Sequence, residues 1–347
     1  MKPTRLPNGL IVRDTYTIVR YLGSGAFGDV YLARHRYMGL QAMKVLSLTP
    51  GTDPLDEAFI LTRVGHPNII RVFEANEFSW EGSTCQYFSM EYIDGGTLAK
   101  YLESTRPEIS ARLNLSIQIA RGLAVAHSQD PPIVHRDLTP WNILVASDQG
   151  RPVAKITDFG LAKQVDLRTK LASAAGNLFY MPPEAFWGYE SPSSDVYSAG
   201  VIIFEMITGR TPFPVEVPSS ATQEQTAALI RASRHNAVPR ASKIIPDLDP
   251  RWDQFFEKAL AFDADKRLPS AIELELELDQ LRQFRHPPTN SGRGDVQQMV
   301  HDALEASKQA ISLNKAIELL EKACQLDESI REQYAPLVEL WKRGVVQ

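Results

Sequence analysis

The chain has 347 residues, 44% of them hydrophobic and 23% charged, with a formal net charge of −5. That length suits roughly two domains of about 150 residues each, and the composition excludes disordered and fibrous classes. The negative balance implies no general polyanion-binding surface, so nucleic acid is not an expected partner. The opening MKPTRLPNGL lacks the apolar stretch of a secretory signal, and no run approaches the roughly 18 apolar residues of a membrane span, so the expected location is cytoplasmic. Cys85 and Cys324 have no metal-ligand spacing and are read as reduced packing residues.

Residues Tyr16 to Leu22 alternate loosely between apolar and polar side chains, which predicts a strand. In the run GSGAFGDVYLA that follows, Gly23, Gly25 and Gly28 form GxGxxG, with Val30 just beyond. A dinucleotide fingerprint would continue into a helix, whereas Val30, Tyr31 and Leu32 favour a second strand, so the glycines belong to a hairpin. Lacking side chains, such a loop lets backbone N–H groups approach phosphates; Phe27 can cap its tip and Val30 cover its base. After a turn near Met38 and Gly39 comes Ala42-Met43-Lys44-Val45, with Lys44 sixteen residues past the last loop glycine. A further apolar run, Gln86 to Tyr92, ends in IDGGTL. Leu113, Ile117, Ala120 and Ala124 recur at helical spacing and predict a buried helix from Ala111 to His127. His127 has no evident partner in the sequence and is read as structural.

Chemistry concentrates in Ile133 to Val145, IVHRDLTPWNILV, a polar loop that its apolar flanks place between two short strands. Asp137 can accept a proton from an attacking hydroxyl, and Asn142, five residues on, carries an amide oxygen that suits a hard cation. Past a turn-rich SDQGRP and a second apolar run, Val153 to Ile156, stands Asp158 in Asp-Phe-Gly, where Gly160 frees the backbone to turn. A surface loop with scattered Asp and Asn accounts for one such motif, not for two in order. HRDLxxxN followed by DFG resembles the catalytic core of the protein kinase superfamily, serine/threonine type.

The resemblance spans about Tyr16 to Phe284 and implies an α+β, two-lobed kinase fold. A small β-rich N-lobe (16–90), a hinge (91–96) and a large helical C-lobe (97–284) would lie between an N-terminal extension (1–15) and a linker (285–294). The implied cofactors are ATP and Mg²⁺, with Mn²⁺ as the alternative metal. Leu22, Gly23, Ser24, Gly25, Ala26, Phe27, Gly28, Asp29 and Val30 would wrap the nucleotide. AMKV fits the family's VAIK strand and gives Lys44 the α- and β-phosphates. Glu57, ten residues before Pro67 of the HPN turn, would pair with Lys44, with Asp56 as the neighbouring alternative. Met90 takes the gatekeeper place; backbone groups of Glu91 and Ile93 would meet the adenine edge, and Leu22, Val30, Ala42 and Leu144 would sandwich the ring. Asp137 becomes the base, and Asn142 and Asp158 the metal ligands.

Further on, Ser194 to Gly209 is apolar nearly all round, as a central helix should be, except for Asp195 at its start. The resemblance has Asp195 tie that helix to the backbone of His135 and Arg136, and pairs Arg267 with Glu184, where the activation segment ends. The run IELELELDQL alternates with period two, yet Pro269 and Ser270 are good helix starters and Leu and Glu good helix formers, so a helix is expected. Arg136 before the catalytic Asp marks kinases switched by a phosphate in the activation segment. Ser173, eleven residues before Glu184, is the expected site and Thr169 the alternative.

Three positions depart from the family. Thr139 replaces a lysine that stabilises the transferring phosphate, and Asn177 replaces the threonine that links it to the base; loss of one preorganised charge typically costs about 10²–10³ in rate. Thr139 keeps a donor, and Asn177 is long enough to reach Asp137. Trp141 stands where kinases that prefer basic substrates carry Glu, so no arginine-directed motif is expected. The tail, 295–347, shows three amphipathic stretches after HPPTNSGRG, and NKAIELLEKACQLDES resembles the second helix of a tetratricopeptide repeat. It is expected to pack on the kinase, self-associate or bind a partner protein. The expected activity is transfer of the ATP γ-phosphate to Ser or Thr hydroxyls of protein substrates. The alternative is a pseudokinase scaffold that binds nucleotide or partners without efficient transfer.

Overall fold

The computed structural model describes residues 5–25, 28–46, 62, 64–159, 177–218, 220–283, 299–304, 306, 313–326 and 330–342. The expectations for Ala26, Phe27, Asp56, Glu57, Gly160, Thr169 and Ser173 lie outside these residues. The chain divides into two compact units, Met1–Arg282 and Gln283–Gln347.

The first unit begins with an antiparallel sheet of β1 (Ile11–Val12), β2 (Tyr16–Gly25), β3 (Gly28–His35), β4 (Gly39–Leu46), β5 (Val72–Trp80) and β6 (Ser83–Glu91), in the order β1-β2-β3-β4-β6-β5. Side chains alternate across a strand. On one face Tyr16, Ile18, Tyr31, Met43, Val45 and Tyr87 form a small core, while Ala42, Leu46, Phe88 and Met90 belong to the main one. Lys44 lies between Ala42 and Leu46 in this alternation, so the strand register itself turns it to the main-core side.

The helical part contains α1 (Leu98–Thr105), α2 (Ile109–His127), α3 (Pro192–Thr208), α4 (Gln223–Ser233), α5 (Arg251–Ala259) and α6 (Ala271–Gln283), with a hairpin of β7 (Ile143–Asp148) and β8 (Arg151–Ile156). Only the far flank of the IVHRDLTPWNILV loop is a strand. Ile133 N–H instead donates to Ala126 O of α2 at 3.0 Å, so the near flank closes a helix end rather than joining a ladder. α3 has a Ser191/Ser194 capping box, Pro192 in its first turn and Gly209 in the left-handed region at φ 78°. In α6, Leu274 and Leu278, four apart, are buried while Ile272 and Leu276 are exposed, which settles the period-two alternation as one helix face.

The 66–70 segment joins the sheet to the helices. Asn68 Nδ2 donates to Ala154 O at 2.9 Å and to Gln118 Oε1 at 3.2 Å, and Ile156 N–H donates to Asn68 O at 2.9 Å. A Cβ at Gly122 would lie 2.8 Å from Asn68 O, so α2 needs glycine at that crossing.

A buried ion pair closes the far side. Arg267 Nη1 and Nη2 donate to Glu184 Oε1 and Oε2 at 2.7 and 3.0 Å, and Ser194 Oγ adds a bond to Oε1 at 2.8 Å. Burial alone would raise the Glu184 pKa, but Arg267 opposes it and holds the carboxyl below its usual range.

In the second unit, α7 (Leu313–Leu326), α8 (Arg331–Lys342) and helical residues 299–304 bury Ala303, Ala316, Leu320, Val338 and Trp341 together. Among the described residues no helix is long and apolar enough to cross a membrane. Cys85 and Cys324 carry free thiols.

Arg267→Met strands the Glu184 carboxylate and is expected to cost about 3–5 kcal/mol, read as a lower denaturation midpoint. Glu184 has a depressed folded pKa, so its stabilisation is present above the unfolded carboxylate pKa and is lost as pH falls through the folded value. Acid titration of stability below about pH 5 should therefore be shallower in R267M than in the wild type.

Candidate active site

Asp195, 1% exposed in the first turn of α3, organises the loop that carries Asp137. Its Oδ2 accepts from His135 N–H at 2.7 Å and its Oδ1 from Arg136 N–H at 3.0 Å. His127 Nε2 lies 2.8 Å from Oδ2, so this histidine, with no evident partner along the sequence, is the third donor to the same carboxylate. Nothing local signals that contact, because 68 residues separate the two. Burial pushes the Asp195 pKa up, but His127 and the backbone donors outweigh it and hold the carboxyl below its ordinary value.

The next link runs through His135, whose Nε2 donates to Thr157 O at 2.8 Å while Nδ1 accepts from Asp137 N–H at 3.3 Å. A carbonyl only accepts, so the ring proton sits on Nε2. The Phe159 ring packs 4.9 Å from the imidazole. Arg136 and Asp158 occupy the left-handed region at φ 69° and 64°, a strain of about 1–3 kcal/mol each that these contacts hold in place.

Asn142 and Asp158 leave the β7–β8 hairpin at the same end. Ile143 pairs with Ile156, and Thr157 N–H donates to Asn142 O at 2.9 Å. Asn142 Nδ2 donates to Asp137 O at 2.7 Å and to Oδ2 at 3.3 Å, which assigns its amide oxygen to the opposite side of the group. Lys44, 2% exposed, places Nζ 2.7 Å from Asp158 Oδ1. This pairing of the β4 lysine with Asp158 was not among the sequence expectations. The Asn177 amide reaches Asp137, its Nδ2 donating to Oδ1 at 3.3 Å. Thr139 Oγ1 is buried and has no hydrogen-bond partner among the described residues. Trp141 is 46% exposed with its ring edge-on to Tyr180 at 5.7 Å.

On the hinge side, Ala42 sits opposite Met90 in the β4–β6 register, and Val30 and Leu144 pack on the main core. Glu91 N–H is committed to Arg71 O at 2.9 Å, and its carboxylate holds Arg71 N–H and Lys155 Nζ at 2.8 and 2.9 Å. Any bond Glu91 offers a ligand therefore comes from its carbonyl. Val145 N–H donates to Gly96 O at 2.9 Å, and a Cβ at Gly95 would meet Val145 O at 1.7 Å, so residues 95–96 rest directly on β7.

The glycine run is a hairpin, with Ser24 opposite Asp29 and Gly25 opposite Gly28. Its glycines serve two ends. At Gly28, φ is +149° and a Cβ would sit 2.0 Å from Val45 O, so the fold excludes a side chain. At Gly23 and Gly25 a Cβ would meet no described atom within 4 Å, so the backbone there faces open space. One amide oxygen and one carboxylate make a sparse, hard donor set, which suits an ion that takes its other ligands from phosphates and water.

The protein kinase domain family matches residues 16–278. The chain belongs to that family. It is 30% identical over 280 residues to the probable serine/threonine-protein kinase PknB of Lactococcus lactis, covering 77% of this chain and 42% of the relative. Over 207 residues it is 36% identical to serine/threonine-protein kinase ATG1a of Arabidopsis thaliana, covering 57% of this chain and 32% of that protein. With serine/threonine-protein kinase PknA of Mycobacterium tuberculosis the identity is 32% over 296 residues, 82% of this chain and 65% of the relative. The matched part thus spans less than half the length of two of these relatives and about two thirds of the third.

Asp195→Asn turns an N–H donor toward a backbone N–H and leaves one donor unsatisfied, at about 1–3 kcal/mol. Hydrogen exchange should quicken at the His135 and Arg136 amides, and unchanged protection there would remove Asp195 from this role.

Proposed function

We propose that this chain is a serine/threonine protein kinase that moves the γ-phosphate of ATP to hydroxyls of protein substrates. The observation that carries the reading is the convergence at the open end of β7–β8. Asp137 is held there by Asn142, with the Lys44–Asp158 pair brought in by β4 and β8. Asp137 orients the acceptor hydroxyl and takes its proton as the oxygen attacks the γ-phosphorus, while the bond from that phosphorus to the β–γ bridging oxygen breaks and ADP leaves. Asn142 and Asp158 offer oxygens to Mg²⁺, which supplies charge neutralisation along the phosphates when bound. Lys44 directs its ammonium to the phosphate oxygens, the Gly23–Gly25 backbone lines the same chain, and the Glu91 carbonyl and Ile93 backbone meet the adenine edge. Catalysis of this kind consists mainly of positioning and charge stabilisation. The relatives' serine/threonine names support the acceptor class and disfavour a scaffold without transfer.

Control by a phosphate at Ser173, or Thr169, paired with Arg136, belongs to the same reading. Peptide mapping of active protein that finds both hydroxyls unmodified would remove it. The tail's helix pair, tetratricopeptide-like in sequence, is proposed to engage a partner protein or a second copy.

Purified chain incubated with labelled ATP and Mg²⁺ should label protein at Ser or Thr. Asp137→Asn should lower transfer about 10²–10⁴-fold while nucleotide still binds. Nucleotide binding with no transfer by the wild type, across metals and protein substrates, would replace this reading with the scaffold.

A further inference from the structure

The acceptor side of the site has a second support. Asn177 opens a 3-10 turn, Asn177–Tyr180, and donates Nδ2 to Asp137 Oδ1 at 3.3 Å, while Asn142 Nδ2 reaches Oδ2 at the same distance. Each carboxylate oxygen therefore meets a neutral amide from a different segment, and rotation of the carboxylate about its last bond costs at least one of these contacts.

The turn that carries Asn177 is held from below by Arg234, at the C-terminal end of α4. Arg234 is 2% exposed, and its Nη2 donates to Leu178 O at 3.1 Å and to Phe179 O at 2.7 Å. Among the described residues its Nε and Nη1 are buried without hydrogen-bond partners, and its guanidinium lies 5.3 Å from the Phe213 ring and 5.9 Å from Tyr197. Placing a guanidinium so far from water is costly, yet both hydrogen bonds it makes among the described residues go to the one turn that holds Asn177. Tyr180, which ends that turn, donates its hydroxyl to Glu205 Oε2 of α3 at 2.6 Å. The turn is thus held at Leu178, Phe179 and Tyr180, leaving Asn177 at the end that meets Asp137.

We infer that Asn177 is a positioning residue that sets the Asp137 carboxylate for the acceptor hydroxyl, and that Arg234 acts through it by holding the 177–180 turn. The inference rests on the kinase reading above. It names a chain of contacts, α4 to turn to base, that operates without a cation at either position 139 or 177.

Steady-state kinetics of the full chain tests it. Asn177→Leu, near in shape but without a donor, should lower kcat about tenfold, the typical consequence of losing one hydrogen bond to a charged group, with KM for ATP unchanged. Asn177→Gln, which keeps an amide on a longer arm, should recover part of that loss. Arg234→Met should show the same split between kcat and KM, and the double variant N177L/R234M should be no slower than N177L, because both act on one contact. N177L with wild-type kcat overturns the inference, as does N177L that lowers melting temperature and ATP affinity along with kcat while N177Q recovers nothing. Losses that multiply in the double variant remove Arg234 from the chain of contacts. A wild type that transfers no phosphate removes the kinase reading, and this inference with it; in the other outcomes the wild type is active, so the two failures are told apart.

Discussion

The site depends on one buried carboxylate. Asp195 gathers His127 and the backbone N–H groups of His135 and Arg136 onto its two oxygens, and so binds the catalytic loop to the almost wholly buried helix α3. A lone charge in that place would be expelled or neutralised, whereas three donors make the ionised form the stable one. Because two of those donors are main-chain groups, the carboxylate specifies backbone path rather than side-chain packing. That path puts Arg136 in the left-handed region and presents Asp137 beyond it.

From there, order passes by direct contact. His135 carries it to the Thr157 carbonyl, and the next residue is Asp158, on which Lys44 closes from the sheet. Lys44 is nearly sealed from solvent, and a buried ammonium needs an opposite charge beside it, which the Asp158 carboxylate provides. The pair therefore holds, ready-made, the opposite charges that a metal and a phosphate chain would each compete for. Sheet and helices share a single core through Asn68 and Gly122, which keeps this distance from depending on the loops alone.

On the acceptor side the chain departs from its family in a correlated way. The position that commonly carries a cation holds Thr139, whose hydroxyl is buried and makes no bond among the described residues, and the contact to the Asp137 carboxylate comes from Asn177. An amide donor orients a carboxylate without adding charge. Nearby, Trp141 is half-exposed, its ring edge-on to Tyr180.

Much of this was legible in the order of residues. Asp137, Asn142, Asp158, Lys44 and the glycine run stand out by residue type at short, countable spacings, and the fold brings Asp137 against Asn142 and Lys44 against Asp158; the helix at Ala271–Gln283 follows from propensity and a proline start. The partners of His127 and Arg234 could not be read in that way. Their contacts cross 68 and 55–56 residues and join groups whose local sequence is ordinary, a histidine near a helix end and an arginine after one. The strand expected at Ile133 failed for a related reason, since an apolar dipeptide pairs with whatever backbone lies opposite, and there it was a helix end. Residue order was enough to say which groups are chemically competent, because competence belongs to the side chain. Which donor meets which acceptor was left to the folded chain, because a hydrogen bond or ion pair exists only where distant segments are brought within about 3 Å of each other.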